Sequence, residues 1–133
     1  MTFTFVEYVW IGGNYELRSK TRVLHDLVES VSDLSSWNFD GSSTSQADGS
    51  DSEVILKPQA LFNDPFRGNH HKLVLCDTYK PNGEPLSNNN RVWAKELFDK
   101  KLEQEPWFGL EQEYFMMNSQ NMKPLGFDET KTQ

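Results

Sequence analysis

Apolar residues crowd the start of the chain and then thin out. Phe3-Thr4-Phe5-Val6-Glu7-Tyr8-Val9-Trp10-Ile11 is dense in β-branched and aromatic types. That composition predicts a strand buried on most of both faces. Gly12-Gly13-Asn14 signals a turn, and Leu17 to Leu24 suits a second, more exposed strand, so the two predict a hairpin. Residues 25–36 are mostly polar and predict a connector with one helical turn. Trp37 to Ser52 is rich in serine, glycine and aspartate and predicts a long loop, either functional or a mobile linker. Glu53-Val54-Ile55-Leu56-Lys57 predicts a third strand, closed off by Pro58 and by the Asn63-Asp64-Pro65 turn. Lys72 to Tyr79 predicts a fourth, ended by Lys80-Pro81-Asn82-Gly83. From Asn88 to Gln104, Trp93, Ala94, Leu97, Phe98 and Leu102 recur at three- and four-residue spacing, which predicts a helix with one apolar side. Asn88, Asn89 or Asn90 can cap its start, and Pro106 follows its end. Trp107 to Phe115 predicts a fifth strand, and the stretch from Asn118 to Gln133 has no period.

Together these elements predict an α+β fold. Residues 1–105 form a small mixed sheet with one main helix laid across it. A new unit begins near residue 106, where the helix-to-strand step crosses Glu105-Pro106. A chain of 133 residues suits one ordinary domain, or one small domain with part of another.

Charge narrows the partners. Twenty acidic residues against 13 basic ones give a net charge of −7, which argues against a nucleic-acid partner, since phosphate binding needs concentrated Lys and Arg. No apolar run has the length to cross a membrane, and no basic region followed by an apolar stretch marks a signal peptide. Cys76 is the single cysteine and sits in an apolar run, so it reads as a buried structural thiol in a cytosolic protein.

Two places can carry chemistry. Glu111 and Glu113 lie two apart on the predicted fifth strand, so both point to one face among Phe108, Leu110, Tyr114 and Phe115. Adjacent carboxylates in apolar surroundings need protons or cations, and Mg²⁺ or Mn²⁺ suits oxygen donors. The alternative is a solvated face of an edge strand. Asp40, in Trp37-Asn38-Phe39-Asp40-Gly41-Ser42-Ser43-Thr44, is a carboxylate on a segment whose composition disfavours helix and strand, with Gly41 opening backbone angles closed to other residues. It can act as a general base or position a cation, or it can be a turn or capping aspartate. His70-His71 reads as a polar loop and not as a metal site. No Gly-rich phosphate loop of the Gly-x-x-x-x-Gly-Lys type and no Ser/His/Asp arrangement is present.

The run Trp37 to Thr44, followed by Gly49-Ser50-Asp51-Ser52-Glu53, resembles the N-terminal signature of eukaryotic-type glutamine synthetase. Glu7-Tyr8-Val9-Trp10-Ile11, Arg18-Ser19-Lys20-Thr21-Arg22, Asn63-Asp64-Pro65-Phe66-Arg67, Lys72 to Cys76 and Trp107 to Tyr114 agree in the same order. The resemblance implies a β-grasp N-terminal domain over 1–105 and the beginning of a catalytic domain over 106–133. It implies ATP-dependent ligation of ammonia to glutamate through γ-glutamyl phosphate, in ring assemblies whose sites lie between subunits. By the same resemblance Asp40 binds ammonium and helps deprotonate it, Ser43 lines the substrate pocket, and Glu113 and Glu111 ligate the two metals. The implied partners are glutamate, ammonium, ATP and other synthetase subunits. The remaining ligands and the nucleotide pocket are expected beyond Gln133, and a leading helix before the first strand is expected to be missing. The chain is therefore expected to be a fragment or truncated form without activity alone. The alternative is an interaction module that assembles with, or regulates, a full-length synthetase.

Overall fold

The computed structural model describes residues 3–126. The chain divides into two compact units, Met1–Lys101 and Leu102–Gln133.

The first unit is built on a mixed sheet of five strands: β1 (Thr4–Ile11), β2 (Leu17–Leu24), β3 (Trp37–Asp40), β4 (Glu53–Asn63) and β5 (Lys72–Tyr79), in the order β2-β1-β5-β4-β3. β1 and β5 run parallel at the centre, and the other pairs are antiparallel. β1 departs from expectation, because it buries one face and not two. Thr4, Val6, Tyr8 and Trp10 alternate into the interior, whereas Phe5 and Ile11 stay partly exposed on the other side. The core is Val6, Tyr8, Trp10, Val28, Leu56, Val74 and Cys76, with Leu24, Leu34, Trp37, Phe39 and Leu61 packed against it.

Val28 and Leu34 reveal what covers the inner face. β2 and β3 occupy opposite edges of the sheet, so the chain between them must cross its full width. Residues 25–36 make that crossing. Val28 is buried, the Thr4 hydroxyl donates to the Asp26 carbonyl (2.8 Å), and the Tyr8 hydroxyl donates to the Ser35 carbonyl (3.0 Å). The single turn foreseen there is the 3-10 turn Val31–Asp33. The polar connector is thus a structural cover.

The helix does not take that role. α1 (Asn90–Asp99) is shorter than predicted and buries no residue, and Trp93 and Leu97 remain about 60% and 58% exposed. Polar contacts hold its start. Asn89 occupies the N-cap position but turns its side chain away from the helix, donating to the Thr78 carbonyl (2.9 Å). Arg91 pairs with buried Asp77 (3.2 Å), and Asn88 donates to the Gly12 carbonyl (2.8 Å). A 3-10 turn, Leu102–Gln104, follows in place of further α-helix.

Two strand expectations also change. β4 runs through Pro58 to Asn63, with a register shift between Pro58 and Ala60. β3 starts at Trp37, opposite Leu56, and pairs only back to Glu53, so at Pro58 β4 is paired with β5 alone, and the bulge accommodates a residue without an N–H. The fifth strand is β3 and not Trp107 to Phe115, which carries no regular structure. A strand needs a neighbour for its backbone groups. In the second unit the described residues offer only an isolated bridge between Met117 and Pro124.

Candidate functional site

Asp40 sits where β3 gives way to the 3-10 turn Gly41–Thr44 and caps that turn. The prediction that this segment avoids strand and helix is therefore corrected. Trp37, Asn38, Phe39 and Asp40 pair with Leu56, Ile55, Val54 and Glu53, while Trp37 and Phe39 pack on the core. Two large aromatics with two-residue spacing outweigh the turn-forming residues that follow.

The turn holds the carboxylate. Asp40 Oδ1 accepts from the Ser42 amide (3.0 Å) and the Ser42 hydroxyl (2.6 Å). These bonds to Ser42, with a further one from Ser52, hold its pKa below the usual carboxylate value. Asp40 is exposed and anionic at neutral pH. Ser43 is exposed as well, and its hydroxyl donates to the Asp40 carbonyl (2.9 Å). Gly41 is required by space and not by a left-handed angle. A Cβ there would lie 2.5 Å from Val54 Cγ2 and 3.0 Å from the Ala47 Cβ. Its N–H donates to the Ser52 carbonyl (2.6 Å), which closes the base of the 41–52 segment.

A second junction fixes the far side of the turn. The Gly13 N–H donates to the Thr44 carbonyl (2.9 Å), and a Cβ on Gly13 would strike the Thr44 and Ser45 carbonyl oxygens at 2.5 and 2.4 Å. Gln46 bonds to the end of β1. Its Nε2 donates to the Ile11 carbonyl (3.0 Å), and its Oε1 accepts from the Trp10 indole (3.3 Å). Next to the turn a cleft of about 570 Å³ is lined by residues including Gln46, Asp48, Asp51, Glu53 and Lys80. Asp40 and Ser43 lie outside its lining, so the cleft does not define the chemistry of the turn.

Glu111 and Glu113 belong to the second unit, on an exposed segment without strand pairing. Their expected common strand face is therefore absent. Among the described residues no three His, Cys, Asp or Glu side chains gather to hold a metal ion. Mg²⁺ and Mn²⁺ sites rest on about six oxygens, so the donors present do not by themselves fit a metal centre. His70 and His71 serve β1, with His70 Nε2 against the Phe3 carbonyl (2.6 Å) and His71 Nδ1 accepting from the Phe5 amide (3.1 Å).

Sequence reasoning passed over Gln46 and a buried ion pair. Asp64 is fully buried, its Oδ1 accepts from the Phe66 and Arg67 amides (2.8 and 3.1 Å), and its Oδ2 meets Arg67 (2.6 Å), which also reaches Glu7 (2.7 Å). The Asn63-Asp64-Pro65 turn signal was the available clue, because an aspartate bonding amides two and three residues on is a turn-former.

The comparisons agree with this architecture. The family model described as "Glutamine synthetase, beta-Grasp domain" matches residues 2–81. The chain is 56% identical over 124 residues to a chloroplastic glutamine synthetase of Brassica napus, covering 91% of this chain and 29% of that protein. It is 49% identical over 131 residues to a putative glutamine synthetase of Acanthamoeba polyphaga mimivirus, covering 96% and 37%. A cytosolic isozyme of Pinus sylvestris is 52% identical over 124 residues, covering 91% and 35%. The chain thus spans about a third of the length of these relatives. With a five-stranded mixed sheet, a single α-helix among the described residues, and the Asp40 turn in place, this chain belongs to the glutamine synthetase family, through its β-grasp domain.

Proposed function

We propose that this chain serves the ligation of ammonia to glutamate, with Asp40 as the carboxylate that meets ammonium. The observation that carries the reading is the Asp40 turn itself: an exposed carboxylate, held anionic by Ser42, at the end of a strand in a glutamine synthetase β-grasp domain. A carboxylate with a lowered pKa attracts a cation well and accepts a proton weakly. Its first contribution is to hold ammonium, and proton acceptance is secondary. Ser43 stands beside Asp40 on the turn, with its hydroxyl donating to the Asp40 carbonyl, and is proposed to line the substrate pocket of the assembled enzyme.

Residues 106–133 are proposed as the beginning of the catalytic domain, with Glu111 and Glu113 contributing two carboxylates to a Mg²⁺ or Mn²⁺ site completed by other residues. ATP, when bound by the assembled enzyme, supplies the phosphoryl group that activates glutamate. Two carboxylates are too few oxygen donors for that site, so the 133-residue chain does not turn over by itself. The site is completed in an assembly of synthetase subunits, and a cytosolic setting suits the single buried thiol.

The test is a hydroxylamine-coupled synthetase assay with glutamate, ATP and Mg²⁺. The chain alone is expected to give no more product than its Glu113→Ala variant, and turnover clearly above that control overturns the claim. In a family synthetase carrying this β-grasp domain, Asp40→Asn is expected to raise the ammonium KM at least tenfold. An unchanged ammonium KM removes the role given to Asp40.

A second reading is favoured by one observation. Trp107 and Leu110 are about 95% and 98% exposed in the second unit, as an interaction module that assembles with a full-length synthetase would need. Co-elution with intact synthetase on size exclusion supports it, and separate elution with unchanged activity discards it.

A further inference from the structure

We infer that Gln46 is the positioning residue of the Asp40 turn, a clasp that sets where the carboxylate points by tying the turn to the end of β1. Its importance for ammonium rests on the role proposed for Asp40, but the clasp stands on its own geometry. Segment 41–52 buries only Gly41 and Thr44, so apolar contact does little to place it. Polar contacts decide its position, and Gln46 concentrates them. Its amide N–H donates to the Gly41 carbonyl (2.9 Å), one residue from Asp40. Ser45, at φ 58°, turns the chain back. The Gln46 side chain then uses both ends, Nε2 to the Ile11 carbonyl and Oε1 from the Trp10 indole. Trp10 is a buried core residue whose ring packs on Phe39, the residue before Asp40 (centroids 4.4 Å apart). Gln46 therefore links both sides of Asp40: the turn through Gly41, and the β3 aromatic through Trp10.

Only a side chain with one donor and one acceptor at this length meets both partners. A protonated glutamic acid has the same pattern, with a hydroxyl for the Ile11 carbonyl and a carbonyl for the Trp10 indole. An ionised glutamate has two acceptors and opposes the Ile11 carbonyl. The pH dependence of one variant thus tests the mechanism.

The experiment is NMR on the 133-residue chain carrying Trp107→Ser and Leu110→Ser in the second unit to limit self-association, comparing this background (wild type at Gln46) with Gln46→Ala and Gln46→Glu. In Gln46→Ala the amides of Gly13, Gly41 and Gln46 are expected to exchange about tenfold faster or more, as loss of two hydrogen bonds implies. The Trp10 indole resonance shifts, and the Asp40 carboxyl titrates nearer its ordinary value. Amides of Val6, Tyr8 and Val74 keep their protection. In Gln46→Glu the turn is expected to match wild type below about pH 4 and to loosen at neutral pH, where glutamate is ionised. Turn exchange within twofold of wild type in Gln46→Ala, or in neutral Gln46→Glu if the alanine variant does not fold, overturns the clasp. A loosened turn together with an Asp40→Asn synthetase of unchanged ammonium KM leaves the clasp standing and removes the role of Asp40.

Discussion

Cys76 and Asp77 are neighbours on β5, and the alternation of the strand sends them to opposite faces. Cys76 enters the core, where burial, with the nearby Asp77 charge adding to it, pushes its thiol up from an ordinary 9.0 to about 12. The neutral thiol is the form that the fold accepts. Its contribution is complete below pH 9 and is lost as pH rises from 9 towards 12, because the unfolded thiol ionises first. Thiolates are the reactive species, so Ellman's reagent at pH 8 is expected to label Cys76 only after denaturant opens the fold. Rapid labelling of the native chain would contradict the burial. Asp77 faces Arg91, Lys57 and Tyr79, and desolvation raises its pKa despite Arg91, the Tyr79 hydroxyl and Lys57. Leu56, fully buried, offers a cleaner core test. Leu56→Ala is expected to cost about 2–5 kcal/mol in urea unfolding, with little change in slope.

Among the elements, the β3–β4 ladder ties the Asp40 turn to the fold. Its register puts Asp40 opposite Glu53 and Phe39 opposite Val54. Val54 also fills the space over Gly41. Gly41→Ala forces a methyl group against Val54 and Ala47, and is expected to destabilise by about 1–3 kcal/mol, as overpacking does. Thermal unfolding measures it. A neutral outcome would mean that the turn can move away from β4. At this scale the hairpin of β1 and β2 and the span of β5 were legible, because each is a run of β-formers between turn residues. The cover over the sheet was not. The connector 25–36 is polar in composition and owes its position to Val28, Leu34 and two hydroxyl bonds that depend on the crossing path. The helix had the stronger apolar pattern, yet its stripe stays exposed, since periodicity tells which residues share a side and not what meets them.

For the whole molecule, acid is the informative perturbation. Hydrogen bonds from Ser19 and Arg67 hold the Glu7 carboxyl below its ordinary value. At Asp64 desolvation is the largest influence and raises the pKa, but Arg67 and two backbone amides together bring it below the usual value. Asp33 and Asp40 are lowered by hydrogen bonds. Carboxyls with lowered folded pKa values stabilise above their unfolded values, about pH 4, and that stability disappears as pH falls through the folded values. The denaturation midpoint is expected to hold from pH 7 to about 5 and to drop steeply below 4. A flat profile down to pH 2 would show that the Asp64–Arg67–Glu7 network contributes nothing to stability. Exposure in the second unit sets the other expectation. Trp107, Leu110 and Tyr114 present large apolar surfaces, so the isolated chain is expected to self-associate at micromolar concentration in light scattering, and Trp107→Ser with Leu110→Ser to reduce it. A monodisperse monomer would refute this. No helix among the described residues is long and apolar enough to cross a membrane.

The α+β class, the central strands, the first hairpin and the family signature are legible in the residues alone, because local propensity and a collinear set of motifs need no distant partner to be recognised. The rest depends on contacts between segments distant in sequence. Trp37 to Asp40 becomes a strand because β4 supplies its hydrogen bonds and the core accepts its two aromatics. Trp107 to Phe115, also read as a strand from its composition, carries no regular structure, because no strand among the described residues runs alongside it. Gln46, one polar residue in a serine-rich stretch, gains its place at the Asp40 turn only when the end of β1, thirty-five residues away in sequence, arrives beside it.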